Sequence, residues 1–316
     1  QIAGLVNMST EKSQKPQKNN YNTALLHPYL CADGSVIFSA GGIFKVDKNS
    51  KSVWYNLNAS HHSIEPDGEG NIWICSYNSS KKNSEEFHMN DDAIKKISIK
   101  DGKTLFEKSV YDILMENGFN RGNFFVDGMP IYNVNTDTLD YFHLNDVEPV
   151  LYDTKYWKKG DVFLSLRHQN MILLYRPLTN KVVWFKQGPW IKQHDIDIID
   201  SSKISVFGNN IIYSNCTNNF VDGNNVLYEY DFSKNELTTP YSVFFKTSSI
   251  STITDGLCTI FPDSTIFVEE TNKGRLLFGN TKKVIWTYIE RLDDKTLNVF
   301  NWSRYISRQE FNNIKL

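Results

Sequence analysis

Two neighbouring stretches decide the fold: FHLNDVEPV from Phe142 to Val150, and GDVFLSLRHQNMILLYRPLTNKVVWF from Gly160 to Phe185. Both consist of short runs of β-branched and aromatic residues separated by Asp, Asn, Gly or Pro, which is typical of strands joined by turns. Together they form a two-part phrase. A strand, a turn and a strand are followed by a second strand–turn–strand that ends in an aromatic residue. The phrase predicts one four-stranded antiparallel sheet.

The same phrase recurs along the chain. Its first part returns as HPYLCADGSVIF from His27, HSIEPDGEGNIWI from His62, HDIDIIDSSKISVF from His194 and GLCTIFPDSTIFV from Gly256. Its second part returns in stretches that end at Tyr55, Glu107, Tyr241 and Tyr288. A tryptophan occupies the same place in several copies, namely Trp54, Trp184 and Trp286. Such a repeat is the sequence form of a β-propeller, in which the recurrent tryptophan packs one blade against the next.

The number of blades follows from counting the phrases. Five copies are explicit, and a sixth is expected from residues 296–305 with strands near the N-terminus, or from residues 123–135. We therefore predict an all-β protein, a β-propeller whose blades have four antiparallel strands each; six blades are expected, and five or seven stay open. Residues 1–24 contain the polar, Lys-rich Ser9–Asn20 and are predicted to be a partly flexible N-terminal segment. Residues 25–316 are predicted to form a single propeller domain.

Composition supports this fold and excludes several partners. The 316 residues include 7 Trp, 16 Tyr and 20 Phe, an aromatic share of 14% that suits pleated, half-buried surfaces. The formal charge of −2 argues against a polybasic nucleic-acid or membrane-surface partner. No apolar run reaches the roughly 18 residues of a membrane helix. One short helix is expected at 110–117, ended by Gly118, and Cys75 and Cys258 are expected to be buried free thiols.

Four histidines fall at a similar place in successive phrases, at the entry to the innermost strand: His27, His62, His143 and His194. The innermost strands of a propeller line its channel, and their entry ends gather at one mouth. We therefore expect these side chains to converge. The chain contains only 7 histidines, so four at one place in the repeat is more than scatter would give. Arg167 ends the strand that pairs with the strand after His143, and the antiparallel pairing should bring it to the same mouth.

These residue types suit transfer of a sulfuryl or phosphoryl group. A guanidinium donates paired hydrogen bonds to a tetrahedral oxyanion, and a neutral imidazole is a competent nucleophile near neutral pH. A second histidine could move the proton of the leaving or attacking oxygen. Three histidines could instead bind zinc, with His62, His143 and His194 as ligands, but an adjacent arginine would repel the metal. We predict no metal and no cofactor.

The quoted phrases resemble the bacterial arylsulfate sulfotransferases from about residue 25 to residue 305. The resemblance is carried by HHSIEPDGEGNIWI, FHLNDVEPV with GDVFLSLRHQ, QHDIDII, and IFPDSTIFVEETNKGRLLF with KKVIWTY. It implies a six-bladed propeller that transfers a sulfuryl group from an aryl sulfate ester donor to a phenolic acceptor without PAPS. The implied mechanism is ping-pong through a sulfohistidine. The family's habit also implies a periplasmic or otherwise extracytoplasmic location.

The resemblance assigns roles residue by residue. His143 matches the nucleophile, Arg167 and His194 match the residues that hold the sulfuryl oxygens, and His62 matches the remaining catalytic histidine. Three further residues are expected at the substrate without a catalytic role: His61, His27 and Asn145. From its closeness in sequence, Asn145 is also expected to orient His143. An insertion at 152–159 is expected to reshape the mouth, and Glu269 and Glu270 are expected at a solvated strand end. Well-studied members carry an N-terminal β-domain used in dimerisation that nothing before residue 25 matches, so oligomeric state is left open.

Two other functions stay open at this stage. Propellers commonly serve as non-enzymatic binding modules, and an aromatic-rich mouth would suit a glycan or a protein surface. A metal-dependent hydrolase or lyase would use the histidine cluster as ligands. Detection of a covalent sulfuryl adduct would favour the transferase, whereas a stoichiometric transition metal would favour the third hypothesis.

Overall fold

The computed structural model describes residues 26–57, 60–80, 82–122, 131–133, 138–214, 218–291 and 293–315. The predicted segment 1–24, most of the stretch 123–135 and Cys216 lie outside these ranges. Within them, five four-stranded antiparallel sheets follow one another along the chain as the blades of a β-propeller. The predicted all-β propeller is therefore confirmed.

The blades follow the repeated phrase. Blade 1 contains β1 (Leu26–Leu30), β2 (Val36–Ser39), β3 (Ile43–Val46) and β4 (Ser52–Asn56). Blade 2 contains β5 (Ser60–Pro66), β6 (Asn71–Tyr77), β7 (Asp92–Ser98) and β8 (Thr104–Ser109). Blade 3 contains β11 (Leu144–Pro149), β12 (Val162–Leu166), β13 (Met171–Arg176) and β14 (Lys181–Gln187). Blade 4 contains β15 (Ile196–Ile198), β16 (Lys203–Gly208), β19 (Val226–Asp231) and β20 (Glu236–Thr238). Blade 5 contains β21 (Leu257–Ile260), β22 (Thr265–Glu270), β23 (Arg275–Asn280) and β24 (Val284–Ile289).

Two hairpins and four short helices lie outside the five sheets, some between blades, some between strands of one blade and one after blade 5. The hairpins are β9 (Ile131–Asn133) with β10 (Thr138–Asp140), and β17 (Ile211–Ser214) with β18 (Asn218–Val221). The helices among the described residues are α1 (Lys82–Phe87), α2 (Val110–Glu116), α3 (Ser242–Thr247) and α4 (Arg308–Asn312). Helix α2 is the helix predicted from the sequence. It begins at the N-cap Ser109, whose side chain accepts the N–H of Asp112, and it gives way to Gly118 at φ +83°.

The recurrent tryptophan of blades 1 and 3 packs against the blade that follows it in the chain. Trp54 donates its indole N–H to the backbone oxygen of Ile99 in blade 2, at 2.9 Å. The ring of Trp184 lies 5.2 Å from that of Tyr230 in blade 4. Trp286 differs, because it stacks on Phe278 of its own blade and is 40% exposed. Within the described residues, no sixth blade covers it.

The prediction of six blades is therefore wrong for the described part of the chain, which contains five. Residues 296–305 form no strand beyond an isolated bridge between Arg291 and Leu297. The physical reason is that this segment is held by side chains of other blades instead of by a neighbouring strand. Glu269 of blade 5 accepts the backbone N–H groups of Trp302 and Ser303.

The same segment then reaches blades 1 and 2. Arg304 donates to both carboxylate oxygens of Glu65, at 2.9 and 3.1 Å, and to the backbone oxygens of Ile64 and Pro28. Glu269 is fully buried, and so is Glu270, which pairs with Arg275. The expectation of a solvated strand end for these two glutamates is therefore wrong. Their carboxylates anchor neighbouring segments of the chain.

The innermost strands are tied to one another by a repeated hydrogen bond. In each case a side chain near the start of one inner strand accepts a backbone N–H of the inner strand in the next blade. The pairs are Ser63 with Val147, Asp146 with Ile196, and Asp195 with Cys258, at 3.0, 2.8 and 2.8 Å. These bonds set the spacing of the inner strands at the end of the channel where the histidines lie.

Other expectations have mixed outcomes. Cys75 and Cys258 are buried free thiols as predicted, and Cys31 is a third. The insertion 152–159 lies between β11 and β12, at the end of β11 opposite His143, so it does not reshape that mouth. Its Trp157 is buried and packs edge-on against Phe163, with ring centroids 5.6 Å apart. Among the described helices, none is long and apolar enough to cross a bilayer.

Candidate active site

Four histidine rings meet at one end of the channel. The ring centroid of His62 lies 4.9 Å from that of His143, 6.0 Å from His194 and 6.2 Å from His27. His27, His62 and His143 have left-handed φ values of 52°, 54° and 51°. His27 and His62 lie where the pairing of the inner strand is irregular, and His143 directly precedes such an irregularity, which falls between Leu144 and Asp146. An irregularity of this kind re-aims a side chain. His194 has ordinary φ, and the left-handed residue of its loop is Lys192.

His143 is oriented by a carboxylate that the sequence analysis did not identify. Its Nδ1 lies 2.6 Å from Oδ2 of Asp140. Because a carboxylate can only accept, Nδ1 of the neutral ring carries the proton and Nε2 carries a free lone pair. Burial raises the pKa of Asp140, but the hydrogen bond and charge of His143 outweigh burial, so this pKa lies below its ordinary value. Asp140 is therefore ionised at neutral pH.

Arg167 is held beside His143 by its neighbour in sequence. Its backbone N–H donates to the His143 carbonyl at 3.1 Å, and Nη1 donates to Nε2 of His168 at 2.9 Å. Nδ1 of His168 in turn donates to the Asp140 carbonyl at 2.7 Å. Burial and the charge of His143 lower the pKa of His168 to about 2, so its ring is neutral and can accept from the guanidinium. Arg167 is only 7% exposed, which excludes a solvated strand-end charge.

His62 belongs to a chain of ring nitrogens that ends in a carboxylate. Its Nδ1 lies 2.9 Å from Nδ1 of His61, and Nε2 of His61 lies 3.2 Å from Oδ1 of Asp92. The negative charge of Asp92 favours the His61 proton on Nε2, and with that tautomer His62 donates from Nδ1 and keeps a lone pair on Nε2. Burial, followed by the charge of His143, lowers the pKa of His62 well below its usual range. The other Asp92 oxygen accepts the N–H of Leu144, which couples this chain to the residue after His143.

Both nitrogens of His194 are engaged by the protein. Nδ1 donates to Oδ1 of Asn209 at 2.7 Å, and the backbone N–H of Asp255 donates to Nε2 at 3.1 Å. Burial, followed by the charge of Arg167, lowers the pKa of His194 well below its usual range. His194 is thus a neutral ring beside Arg167, and it holds the loop that carries Asp255 against the site.

The two remaining predicted residues occupy different surroundings. Asn145 is fully buried, and its amide donates to the backbone oxygen of Gln193 at 2.7 Å. It therefore links β11 to the loop that carries His194, and its amide is directed at that loop instead of at His143. His27 is buried at the edge of the cluster, with its ring 4.5 Å from that of Trp302.

A second cation lies near the guanidinium. Burial, followed by the charge of Arg167, lowers the pKa of Lys192 to about 8. Sequence reasoning missed Lys192, Asp140 and His168, although each lies within three residues of a residue that it selected. Their contacts pass through the loop before β11, the short 3-10 turn after β12 and the loop before β15. None of these irregular segments has a periodic signal.

Two groups of side chains have the spacing of a metal site. Donor atoms of His62, His194 and Asp255 lie within 4.8 Å of one another, as do those of Asp140, His143 and His168. These differ from the predicted trio of His62, His143 and His194. Nε2 of His194 and both nitrogens of His168 already have protein partners. Since two cationic side chains also adjoin the cluster, the arrangement suits an anion better than a metal ion.

Fold and site together define a β-propeller with a channel mouth lined by histidines and flanked by Arg167 and Lys192. The profile of the arylsulfotransferase (ASST) family matches residues 29–291, and the chain belongs to this family. Membership indicates transferase function of the arylsulfotransferase type, with small-molecule aryl sulfates and phenols as the family's substrates. No curated protein matches the sequence significantly.

Solved structures share the fold at low identity. A protein of unknown function from Bacteroides caccae matches with a TM-score of 0.52 and 11% identity, covering 85% of this chain and 82% of its own. Virginiamycin B lyase from Staphylococcus aureus matches with a TM-score of 0.45 and 11% identity, covering 85% and 71%. A streptogramin B lyase structure matches with a TM-score of 0.45 and 10% identity, covering 85% of this chain and 70% of its own. The first shows the fold alone, and the lyases carry no argument about activity.

Proposed function

We propose that this chain transfers a sulfuryl group from an aryl sulfate ester to a phenol, by a ping-pong reaction through a sulfated His143. The observation that carries the proposal is the Asp140 carboxylate on Nδ1 of that ring, together with the buried Arg167, whose backbone N–H is bonded to the His143 carbonyl. Asp140 fixes the proton on Nδ1, and Arg167 lies where it can bind the oxygens of a group presented to Nε2. No nucleotide donor is involved.

The first half-reaction breaks the ester. The lone pair on Nε2 of His143 attacks sulfur, and the bond between sulfur and the aryl oxygen breaks with its electrons remaining on that oxygen. The ring becomes an N-sulfonated imidazolium, whose positive charge is offset by the Asp140 carboxylate. Arg167 and Lys192 supply charge-assisted hydrogen bonds to the sulfuryl oxygens.

The second half-reaction restores the enzyme. Nε2 of His62 removes the proton of the acceptor phenol, whose oxygen attacks sulfur. The bond between sulfur and His143 breaks, and its electrons return to Nε2 of His143. His62, whose pKa is lowered by burial, then releases the proton to solvent. Because His62 rests unprotonated, the donor's phenol must leave as a phenolate. Donors with acidic phenols are therefore preferred over donors with weakly acidic ones. His194 positions the loop beside Arg167 and carries no proton in this scheme.

The test is detection and mapping of the covalent intermediate. The protein is mixed briefly with 4-nitrophenyl sulfate, quenched at alkaline pH to preserve an N-sulfo adduct, and analysed by intact and peptide mass spectrometry. We expect one added sulfuryl group on His143, which is lost when a phenol is added. His143→Asn should abolish it. His88→Asn is the matched control, because exposed His88 also has a left-handed φ, at 47° against 51° for His143.

The outcomes separate the alternatives. An adduct on the peptide that contains His194 would transfer the nucleophile's role to that ring. Retention of the full adduct in His143→Asn would contradict the proposal. We also propose the family's extracytoplasmic, periplasmic location for this protein. Cell fractionation of the native host tests it, and recovery with cytoplasmic markers would contradict it.

A further inference from the structure

A small cavity opens beside His62, and neither Arg167 nor His143 is among the described residues that line it. Its volume is about 170 Å³, and its walls include Leu26, His27, Asp255 and Trp302. His62 is therefore shared by the cavity and by the reacting centre. A group in the cavity would have its nearest atom beside the lone pair that the proposed reaction uses as a base.

The wall formed by Trp302 is held rigidly although it belongs to no blade. Trp302 has a left-handed φ of 69°, an uncommon conformation for a bulky residue that persists only where the surroundings impose it. Here the fully buried Glu269 accepts the N–H groups of Trp302 and Ser303, and the Asn301 carbonyl accepts the N–H of His27. The ring is 3% exposed and packs on that of His27.

Size and chemistry indicate the occupant. A protein cavity of about 150 Å³ holds a single benzene ring, so one of about 170 Å³ has room for one aromatic ring and little more. An indole wall offers offset or edge-to-face contact with such a ring. We propose that this cavity is the aryl subsite, that Trp302 limits it to single-ring phenols, and that the phenolic oxygen lies at His62. The inference rests on the proposed function and deepens it.

The role of Trp302 does not follow from family membership, since residue 302 lies beyond the matched residues 29–291. The C-terminal segment thus has two functions in this inference. It closes the described ring from blade 5 to blades 1 and 2, and it determines which substrates reach His62.

The experiment compares phenyl sulfate with 2-naphthyl sulfate as donors, through kcat/KM with one common acceptor. We expect the wild type to prefer phenyl sulfate by at least about 10-fold, because the fused second ring exceeds the cavity. Trp302→Ala should lower kcat/KM for phenyl sulfate about 10-fold and bring the ratio of the two donors close to one. Trp302→Phe should stay within a few-fold of the wild type. Phe311→Ala is the control, because this side chain is exposed on α4.

A second variant protects the test against misfolding. Leu26→Phe adds bulk at another wall residue of the cavity and leaves Trp302 in place, so it should lower kcat/KM for phenyl sulfate at least several-fold without bringing the ratio of the two donors close to one. An unchanged donor ratio in Trp302→Ala, together with unchanged kinetics in Leu26→Phe, would overturn the inference while leaving sulfuryl transfer intact.

Direct binding separates the subsite from the chemistry. Calorimetric titration with phenol and 2-naphthol needs no turnover, so it reports on the cavity even if no sulfuryl transfer is found. We expect phenol to bind the wild type at least about 10-fold more tightly than 2-naphthol, and Trp302→Ala to remove that difference. Equal phenol affinity in the wild type and Trp302→Ala would overturn the inference whatever the transfer assay shows.

Discussion

Replacing Asp140 by Asn should slow the attack of His143 on sulfur without disturbing the propeller. The substitution keeps the size of the side chain and removes its charge. It also puts an amide group, which can donate a hydrogen bond to Nδ1, in place of a carboxylate oxygen, which can only accept one. An Asn that donates there moves the ring proton to Nε2, the atom that must attack sulfur. The substitution thus removes both the compensating charge and the required tautomer.

The magnitude follows from the contact. A hydrogen bond to a charged group contributes about 1.5–3 kcal/mol, and the distance of 2.6 Å between Asp140 and His143 is that of a charge-assisted bond. Loss of that term alone slows adduct formation by about 10- to 150-fold. Inversion of the tautomer adds to this loss, and the equivalent change in a serine-protease triad costs about 10,000-fold in kcat. We therefore expect Asp140→Asn to be slower by at least about 10-fold.

The assay is the rate of the first nitrophenol burst, with the sulfuryl adduct measured in parallel by intact mass. Asp153→Asn is the matched control, because Asp153 is an exposed carboxylate at the other end of β11. Near-UV circular dichroism checks that both variants keep the native packing. A burst in Asp140→Asn at more than half of the wild-type rate, in a folded protein, would refute the assignment of Asp140 as the residue that orients His143.

Four further outcomes are expected. Gly102→Ala should lower the free energy of unfolding in urea by about 1–3 kcal/mol more than Gly41→Ala. Both glycines have left-handed φ, but only at position 102 would an added Cβ meet the Trp54 ring, at 2.6 Å. Equal losses of stability in the two variants would contradict this. Since the folded-state pKa of His168 is about 2 and its ordinary value is 6.5, the unfolded state binds the extra proton, and the contribution of His168 to stability falls by about 2 kcal/mol from pH 7 to pH 5. His168→Gln should therefore reduce the pH dependence of the free energy of unfolding by about that amount, and an unchanged dependence would count against it. Arg167→Lys should slow adduct formation at least about 10-fold in stopped-flow measurements, because a lysine cannot reproduce the paired donors; wild-type rates would exclude a bidentate role. Dialysis against EDTA should leave adduct formation unchanged, whereas a loss reversed by a divalent cation would favour the metal hypothesis.

The fold could be predicted from sequence because its signals are local and repeated. Each blade is a run of strands and turns, and the pattern repeats until the unit is evident. Trp54 and Trp184 could be assigned to blade contacts, since residues at one phase of a repeat meet the same neighbour. The count of blades could not be predicted. Residues 296–305 have strand-like composition, but the carboxylates of Glu269 and Glu65 bind the backbone at Trp302 and the guanidinium of Arg304, and they hold this segment as an irregular chain.

The site was predictable only in part, for a related reason. The convergence of His62, His143 and His194 follows from their repeat phase, and Arg167 follows from antiparallel pairing. Asp140 ends the short strand β10 outside the blades, His168 lies in a 3-10 turn, and neither position belongs to the repeated phrase that marks the other site residues.

The sequence by itself determined the β-propeller, its repeating unit and the histidines at the channel mouth, because spacing along a strand and phase within a repeat are properties of the chain alone. Tertiary structure decided the rest. Which ring nitrogen carries a proton depends on the partner that faces it, as Asp140 faces His143 and Asp92 faces His61. The position of Trp302 in the cavity wall depends on its packing against His27, a residue more than 200 positions away in sequence. Only the folded ring of blades brings these two side chains into contact.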